Sequence, residues 1–179
     1  MTFKSIILLI IGAAVTNNCV FRSFLGVTPL LGWSRKEQVI LPMGLSVAAV
    51  MLLSTAIVWP LMSVLPGFLE IPVSVGIILA LVYALELLAK KVCKKSLGFW
   101  FPVIALNSAV LGIAVGNLGL DYVSALFTAL GSGIGFLLAL YVFAGVLGRI
   151  NGKYVPKAFR GLPVELLAAG IISLALYAF

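Results

Sequence analysis

Asn17-Asn18-Cys19-Val20-Phe21-Arg22-Ser23-Phe24-Leu25-Gly26-Val27-Thr28-Pro29 is the stretch whose reading decides the fold. It lies between two apolar runs, yet it holds two amides, an arginine, a glycine and a proline. An unbroken membrane span does not carry these together. Read as one helix, Phe3 to Trp33 would be roughly 46 Å long at 1.5 Å per residue, well beyond the ~30 Å hydrocarbon core of a bilayer. A break near Asn17–Asn18, leaving two half-helices, removes the mismatch. A shorter version recurs as Asn107-Ser108-Ala109-Val110-Leu111-Gly112, in the middle of another apolar run.

Working outward, the composition is that of a membrane protein. Of 179 residues, 63% are hydrophobic and 9% charged, and mean hydropathy is +1.26. Soluble domains are nearer half apolar and a quarter charged. A β-barrel is excluded, because the runs do not alternate apolar and polar residues. There is no histidine, which removes the common imidazole metal and proton-relay sites. Cys19 and Cys93 fit neither a zinc spacing nor a disulfide framework. Lys4, the following apolar run and Gly12-Ala13-Ala14 resemble a signal peptide. The run continues into the motif rather than into a polar domain, so it reads as a span.

Six apolar segments follow, at about 3–33, 39–65, 71–89, 98–116, 122–147 and 162–179. Pro66-Gly67 marks a turn. Cys93 is placed in a basic loop, Lys90 to Lys95. Ten of the twelve Lys and Arg fall in the first, third and fifth loops, and none in the second and fourth. The positive-inside rule then puts those basic loops in the cytoplasm and both termini outside.

The expected fold is an all-α integral membrane domain over 1–179, with six transmembrane helices as two inverted three-helix repeats. Repeat one covers about 1–95 and repeat two about 96–179. Three spans per half give the halves opposite senses of insertion. The first and fourth helices are the broken ones, and Asn18-Cys19-Val20-Phe21 is equivalent to Asn107-Ser108-Ala109-Val110. The glycines at 131, 133 and 135 correspond to the region of Gly44. Freed backbone groups at membrane depth need partners. Asn17, Asn18, Gly26, Asn107 and Gly112 are therefore candidates to line a cavity where the breaks meet. Bonding of the asparagines to neighbouring helices is an equal alternative.

These residues resemble a known family. Asn17-Asn18-x-Val20-x-x-x-Phe24-Leu25-Gly26, then Pro29 and Ser34-Arg35-Lys36, is similar to the first span of the A-type subunit of the Rnf electron-transport complex. The E-type subunit of the sodium-pumping NADH:quinone oxidoreductase shares the pattern. Phe101-Pro102-x-Ile104-x-x-Asn107-x-Ala109-Val110-Leu111-Gly112 resembles the family's fourth span. Gly133-x-Gly135-Phe136, Val155-Pro156-x-x-Phe159-x-Gly161 and Ala168-Ala169-Gly170-x-x-Ser173-Leu174-Ala175 resemble its later spans.

The resemblance implies a subunit of an ion-translocating oxidoreductase rather than an enzyme acting alone. Electron transfer on the ferredoxin and NAD side would be coupled to sodium or proton movement in a prokaryotic inner membrane. It implies a homologous E-type partner of opposite topology, alongside other Rnf-like subunits. It also implies a two-iron, two-sulfur cluster held between the two homologues, each giving one cysteine from each broken helix. Here the family's cysteine positions are Thr28 and Ser108. Thiolates hold such clusters and neutral hydroxyls are poor iron ligands, so the departure points to loss of the cluster. Cys19 reads as a small buried apolar residue.

Glu86 stands four residues before Lys90, a spacing that suits a helix ion pair. An acid in a span is also a candidate for an ion path. Glu165 suits the dipole of the first turn of the last helix. Arg22 is compatible with snorkelling, with contact to anionic lipid, or with cavity lining. Membrane lipid is an expected partner and nucleic acid is not. The alternative function is a cluster-less inverted-repeat transporter or channel-like protein for a cation or small solute, and the alternative partner is a second copy in a homodimer.

Overall fold

The computed structural model describes residues 3–33, 37–93, 103–104, 107–150 and 155–177. Every element among them is helical: α1 (Phe3–Ile11), a π turn (Gly12–Thr16), α2 (Cys19–Ser23), α3 (Val27–Trp33), α4 (Glu37–Met62), α5 (Glu70–Cys93), α6 (Ser108–Gly116), α7 (Tyr122–Arg149) and α8 (Leu162–Tyr177). Single 3-10 turns precede α5 and α8, at Gly67–Leu69 and Lys157–Phe159. Among the described residues, three helices are long and apolar enough to cross a membrane: Ile40–Met62, Gly67–Leu88 and Tyr122–Arg149. Lys4–Thr16 and Leu162–Leu176 are shorter apolar helices. The protein is an all-α, multi-pass membrane protein. Large side chains such as Leu8, Ile71 and Leu174, exposed by 70%, 61% and 76%, form an apolar exterior suited to lipid rather than water.

The pair α4 and α7 forms the centre. Two membrane helices approach closely only where side chains are small. Gly133 of α7 meets Ala48 of α4, and Gly44 of α4 meets Leu137 of α7. On another face, Gly131 lies against the Ile10 carbonyl and Gly135 against the Ala14 carbonyl, seating the first segment on α7. Phe136, Phe143, Met51 and Ile78 are fully buried around this centre. A Cβ added at Gly133 would stand 2.7 Å from Ala48 Cβ. Gly133→Ala is therefore expected to destabilise by about 1–3 kcal/mol, the usual cost of overpacking a tight contact. Denaturant unfolding in detergent micelles measures it.

At the other end of this pair, Pro60 has no N–H to give to the Ala56 carbonyl. The Tyr122 hydroxyl lies 3.5 Å from that oxygen. Trp59 Nε1 donates to the Leu120 carbonyl at 2.8 Å, and its ring centroid is 5.2 Å from that of Tyr122. Asn117 Nδ2 donates to the Ala125 carbonyl at 3.3 Å, joining the end of α6 to α7.

Two expectations from sequence are corrected. The first segment is broken twice, not once, into α1 with its π turn, α2 and α3. The second break, at Phe24-Leu25-Gly26, uses left-handed backbone at Phe24 (φ 53°) and Gly26 (φ 74°). The third segment also continues as helix through Cys93. Lys90, Lys91 and Cys93 thus belong to its last turns rather than to a loop, where lysines suit the negative end of the helix dipole. Ser34, Arg35 and Lys36, the stretch from Lys94 to Pro102, and Lys153 lie outside the described residues.

Candidate functional site

The site begins at the π turn. Residues 12–16 wind more widely than an α-helix, and the Asn17 N–H donates to the Gly12 carbonyl at 2.6 Å. Widened turns of this kind recur at functional positions. The helix stops there and α2 restarts at Cys19, with Asn18 as its N-cap. Asn18 Oδ1 accepts from the Val20 N–H at 2.9 Å. Its Nδ2 donates to the Ala14 carbonyl at 2.9 Å and to the Gly135 carbonyl at 2.8 Å. One buried amide thus caps a helix, satisfies a carbonyl at the break and ties both to α7. Of the alternatives for Asn18, the bond to a neighbouring helix is seen directly, to the Gly135 carbonyl of α7. Asn17 is exposed, and its Oδ1 accepts from Arg22 Nη1 at 2.7 Å.

The second motif is built alike. Asn107 caps α6, with Oδ1 accepting from the Ala109 N–H at 3.0 Å. Its Nδ2 is buried and has no hydrogen-bond partner. The two motifs meet. The Gly26 N–H donates to Ser108 Oγ at 3.0 Å, and Leu25 packs on the bare face of Gly112. Gly26 is required twice over. Its φ of 74° suits a residue with no Cβ, and an added Cβ would lie 2.7 Å from a Phe136 ring carbon and 3.1 Å from Asn107 Oδ1.

Among the candidate residues, then, Gly26, Asn107, Ser108 and Gly112 form one junction, and Asn18 is bonded to α7 through the Gly135 carbonyl. Thr28 is exposed in the first turn of α3, and Ser108 is exposed at the start of α6. Glu86 stands apart on α5, where Oε1 is 2.8 Å from Lys90 Nζ. Glu165 is buried in the first turn of α8.

The donor set at the junction is oxygen. Ser108 Oγ already accepts a hydrogen bond, and Cys19 is buried with only 3% exposure. Among the described residues, no three His, Cys, Asp or Glu side chains are grouped to hold a metal ion. Hydroxyls at Thr28 and Ser108 do not fit an iron–sulfur cluster, whose iron takes thiolates.

A cavity of about 270 Å³ lies beside the break, and of its lining residues only Asn18 and Arg22 are cavity candidates from sequence. Val15, Thr16, Asn18, Phe21 and Arg22 line it from the first segment, and Ser173 and Leu176 from α8. Ser173 is visible in the sequence only as part of a family-like run, with nothing local to mark it.

Known proteins share this sequence along nearly its whole length. Residues 6–179 match the Rnf-Nqr family, described as an Rnf-Nqr subunit, membrane protein. The A-type subunit of an ion-translocating oxidoreductase complex from Syntrophotalea carbinolica is 40% identical, over 98% of this chain and 96% of its own length. The A-type subunit of a Na(+)-translocating ferredoxin:NAD(+) oxidoreductase complex from Acetobacterium woodii is 35% identical, with the same shares covered. Its counterpart from the ion-translocating oxidoreductase complex of Azoarcus sp. is 34% identical, over 97% of this chain and 95% of its own. With Asn18 and Asn107 each capping a helix and the two motifs meeting at Gly26 and Ser108, and with this likeness from end to end, the chain belongs to the Rnf-Nqr family of membrane subunits, among the A-type homologues.

Proposed function

We propose that the chain works at the heart of its complex as a six-span inverted repeat whose two broken helices form a junction without sulfur ligands. The chain is a membrane subunit of an Rnf/Nqr-type ion-translocating oxidoreductase complex, linking electron transfer to ion transport in a bacterial inner membrane. The observation that carries the reading is the meeting of the two motifs through the Gly26 N–H and Ser108 Oγ.

The inverted repeat is supported by a constant offset. Asn18 and Asn107, Gly44 and Gly133, and Ala48 and Leu137 are each 89 residues apart (107 minus 18, 133 minus 44, 137 minus 48). The two asparagines make the same N-cap bond, at 2.9 and 3.0 Å. The contacts Gly44–Leu137 and Gly133–Ala48 exchange with each other under that offset, as a two-fold axis requires. The basic loops are cytoplasmic and both termini external, from the distribution of Lys and Arg.

The partner is a homologous membrane subunit of opposite topology, facing the junction at Thr28 and Ser108. Without thiolates there, this chain acts as scaffold and as part of the ion path. Glu86 is an ion pair rather than a carrier. Lys90→Met is expected to cost no more than about 0.5 kcal/mol, as for an (i, i+4) helix pair with one exposed member, and to leave ion transport unchanged. Stability in micelles and ion uptake by reconstituted complex measure the two.

Purifying the tagged, full-length protein from its native membranes in mild detergent tests the reading. A homologous membrane subunit and flavin- or iron-bearing subunits are expected to co-purify. A protein that emerges alone or as a homodimer, and that moves a cation or solute in liposomes without a redox donor, would favour the cluster-less transporter.

A further inference from the structure

The cavity of about 270 Å³ between the π turn and the end of α8 is not absorbed by the junction. At ~30 Å³ per water it has room for on the order of nine waters, more than one small ion needs. Its polar wall is made of Thr16, Asn18, Arg22 and Ser173. Arg22 brings a positive charge, and its guanidinium is anchored to Asn17 Oδ1 at 2.7 Å and directed to the Thr16 carbonyl at 3.5 Å. That anchoring keeps the charge beside the cavity. On the opposite wall Ser173 Oγ is buried and makes no hydrogen bond. A buried hydroxyl without a partner is costly, and a serine on a membrane helix ordinarily bonds back to its own backbone. Thr16 and Asn18 complete the polar part of the lining, and Val15, Phe21 and Leu176 are its apolar part. Apolar side chains are exposed next to the cavity, with Ile11 exposed by 53%, Val15 by 56% and Leu174 by 76%.

An anchored positive charge, an unpartnered hydroxyl and apolar surface next to them suit a guest with an oxyanion at one end and an alkyl chain at the other. We propose that this cavity binds the oxyanion headgroup of a membrane amphiphile. The headgroup lies between Arg22 and Ser173, and the chain runs out along Val15 and Leu176. A phosphodiester of an anionic phospholipid and the carboxylate of a fatty acid share this chemistry, since both accept charge-assisted bonds from a guanidinium. The guest bridges the broken first segment and α8 and fixes the cavity walls beside Asn18.

Native mass spectrometry of the full-length protein in detergent tests this. The probes are added dioleoyl phosphatidylglycerol, dioleoyl phosphatidylcholine and oleate. Wild-type protein is expected to retain phosphatidylglycerol, oleate or both at least about tenfold over phosphatidylcholine, and the preferred probe identifies the source. Arg22→Gln is expected to lower that retention about tenfold and Ser173→Ala several-fold, as expected for loss of charged and neutral hydrogen bonds. Arg149→Gln, an exposed charge at the end of α7, leaves retention unchanged. If Arg22→Gln does not fold, Ser173→Ala carries the test. Equal retention of phosphatidylcholine, wild-type retention in both cavity variants, or an equal loss in Arg149→Gln would overturn the proposal.

Discussion

Asn18→Ala is expected to destabilise the protein by about 2–4 kcal/mol, and Asn107→Ala by no more than about 1 kcal/mol. The two asparagines each cap a helix but do different amounts of bonding. Asn18 makes three buried hydrogen bonds, to the Val20 N–H and the Ala14 and Gly135 carbonyls. A net bond contributes about 1 kcal/mol, and stranding its partner costs about 1–3 kcal/mol. Alanine at 18 would strand the Val20 N–H and loosen the first segment from α7. Asn107 makes one side-chain bond, to the Ala109 N–H, while its Nδ2 is already without a partner. Removing that orphan recovers part of what the lost cap costs. Denaturant unfolding of both variants in the same micelles measures the difference. Equal losses would mean that the bonding to α7 does not hold the first break.

Gly26→Ala is expected to cost about 3 kcal/mol and to separate the two motifs. Two effects add. A left-handed backbone is unfavourable for any residue with a Cβ, by about 1–2 kcal/mol. The new carbon would also stand 2.7 Å from Phe136 Cε2 and 3.1 Å from Ala109 Cβ, an overpacking that costs about 1–3 kcal/mol more. Phe136 is fully buried, so the contact is relieved by moving the 24–26 backbone. That movement breaks the bond from the Gly26 N–H to Ser108. Unfolding of Gly26→Ala, with ion transport by the assembled complex, reads both consequences. A variant as stable and active as wild type would remove Gly26 from the junction.

The first break is legible in the sequence because it answers a length. Phe3 to Trp33 is too long for one span, and Asn17–Asn18 is the polar point within it. The second break is hidden. Its first left-handed residue is Phe24, whose side chain gives no sign of it, and Gly26 alone does not distinguish a turn from a cavity wall. The π turn is hidden too, since Gly12-Ala13-Ala14-Val15-Thr16 differs little in composition from an ordinary helix. The helical run to Cys93 is obscured because four lysines suggest a loop after Ala89, whereas a last turn tolerates Lys90 and Lys91. The meeting of the motifs follows from the need of broken backbone for partners. The cavity does not, because Thr16 and Ser173 are brought together only by packing of the two ends of the chain. The alternatives for Glu86 stand open on spacing alone, and the 2.8 Å contact with Lys90 favours the ion pair.

Most rests on the chemistry at Thr28 and Ser108. The direct measurement is iron and acid-labile sulfide in the complex formed by the full-length chain and a homologous partner of opposite topology. Wild type is compared with Thr28→Cys/Ser108→Cys. With hydroxyls at these positions, no cluster is expected at the junction. With both thiols present, a gain of about two irons and two sulfides per complex is expected, the content of one two-iron cluster. A wild-type complex that already holds that iron and sulfide at the junction, with no gain in the variant, would contradict the loss of the cluster.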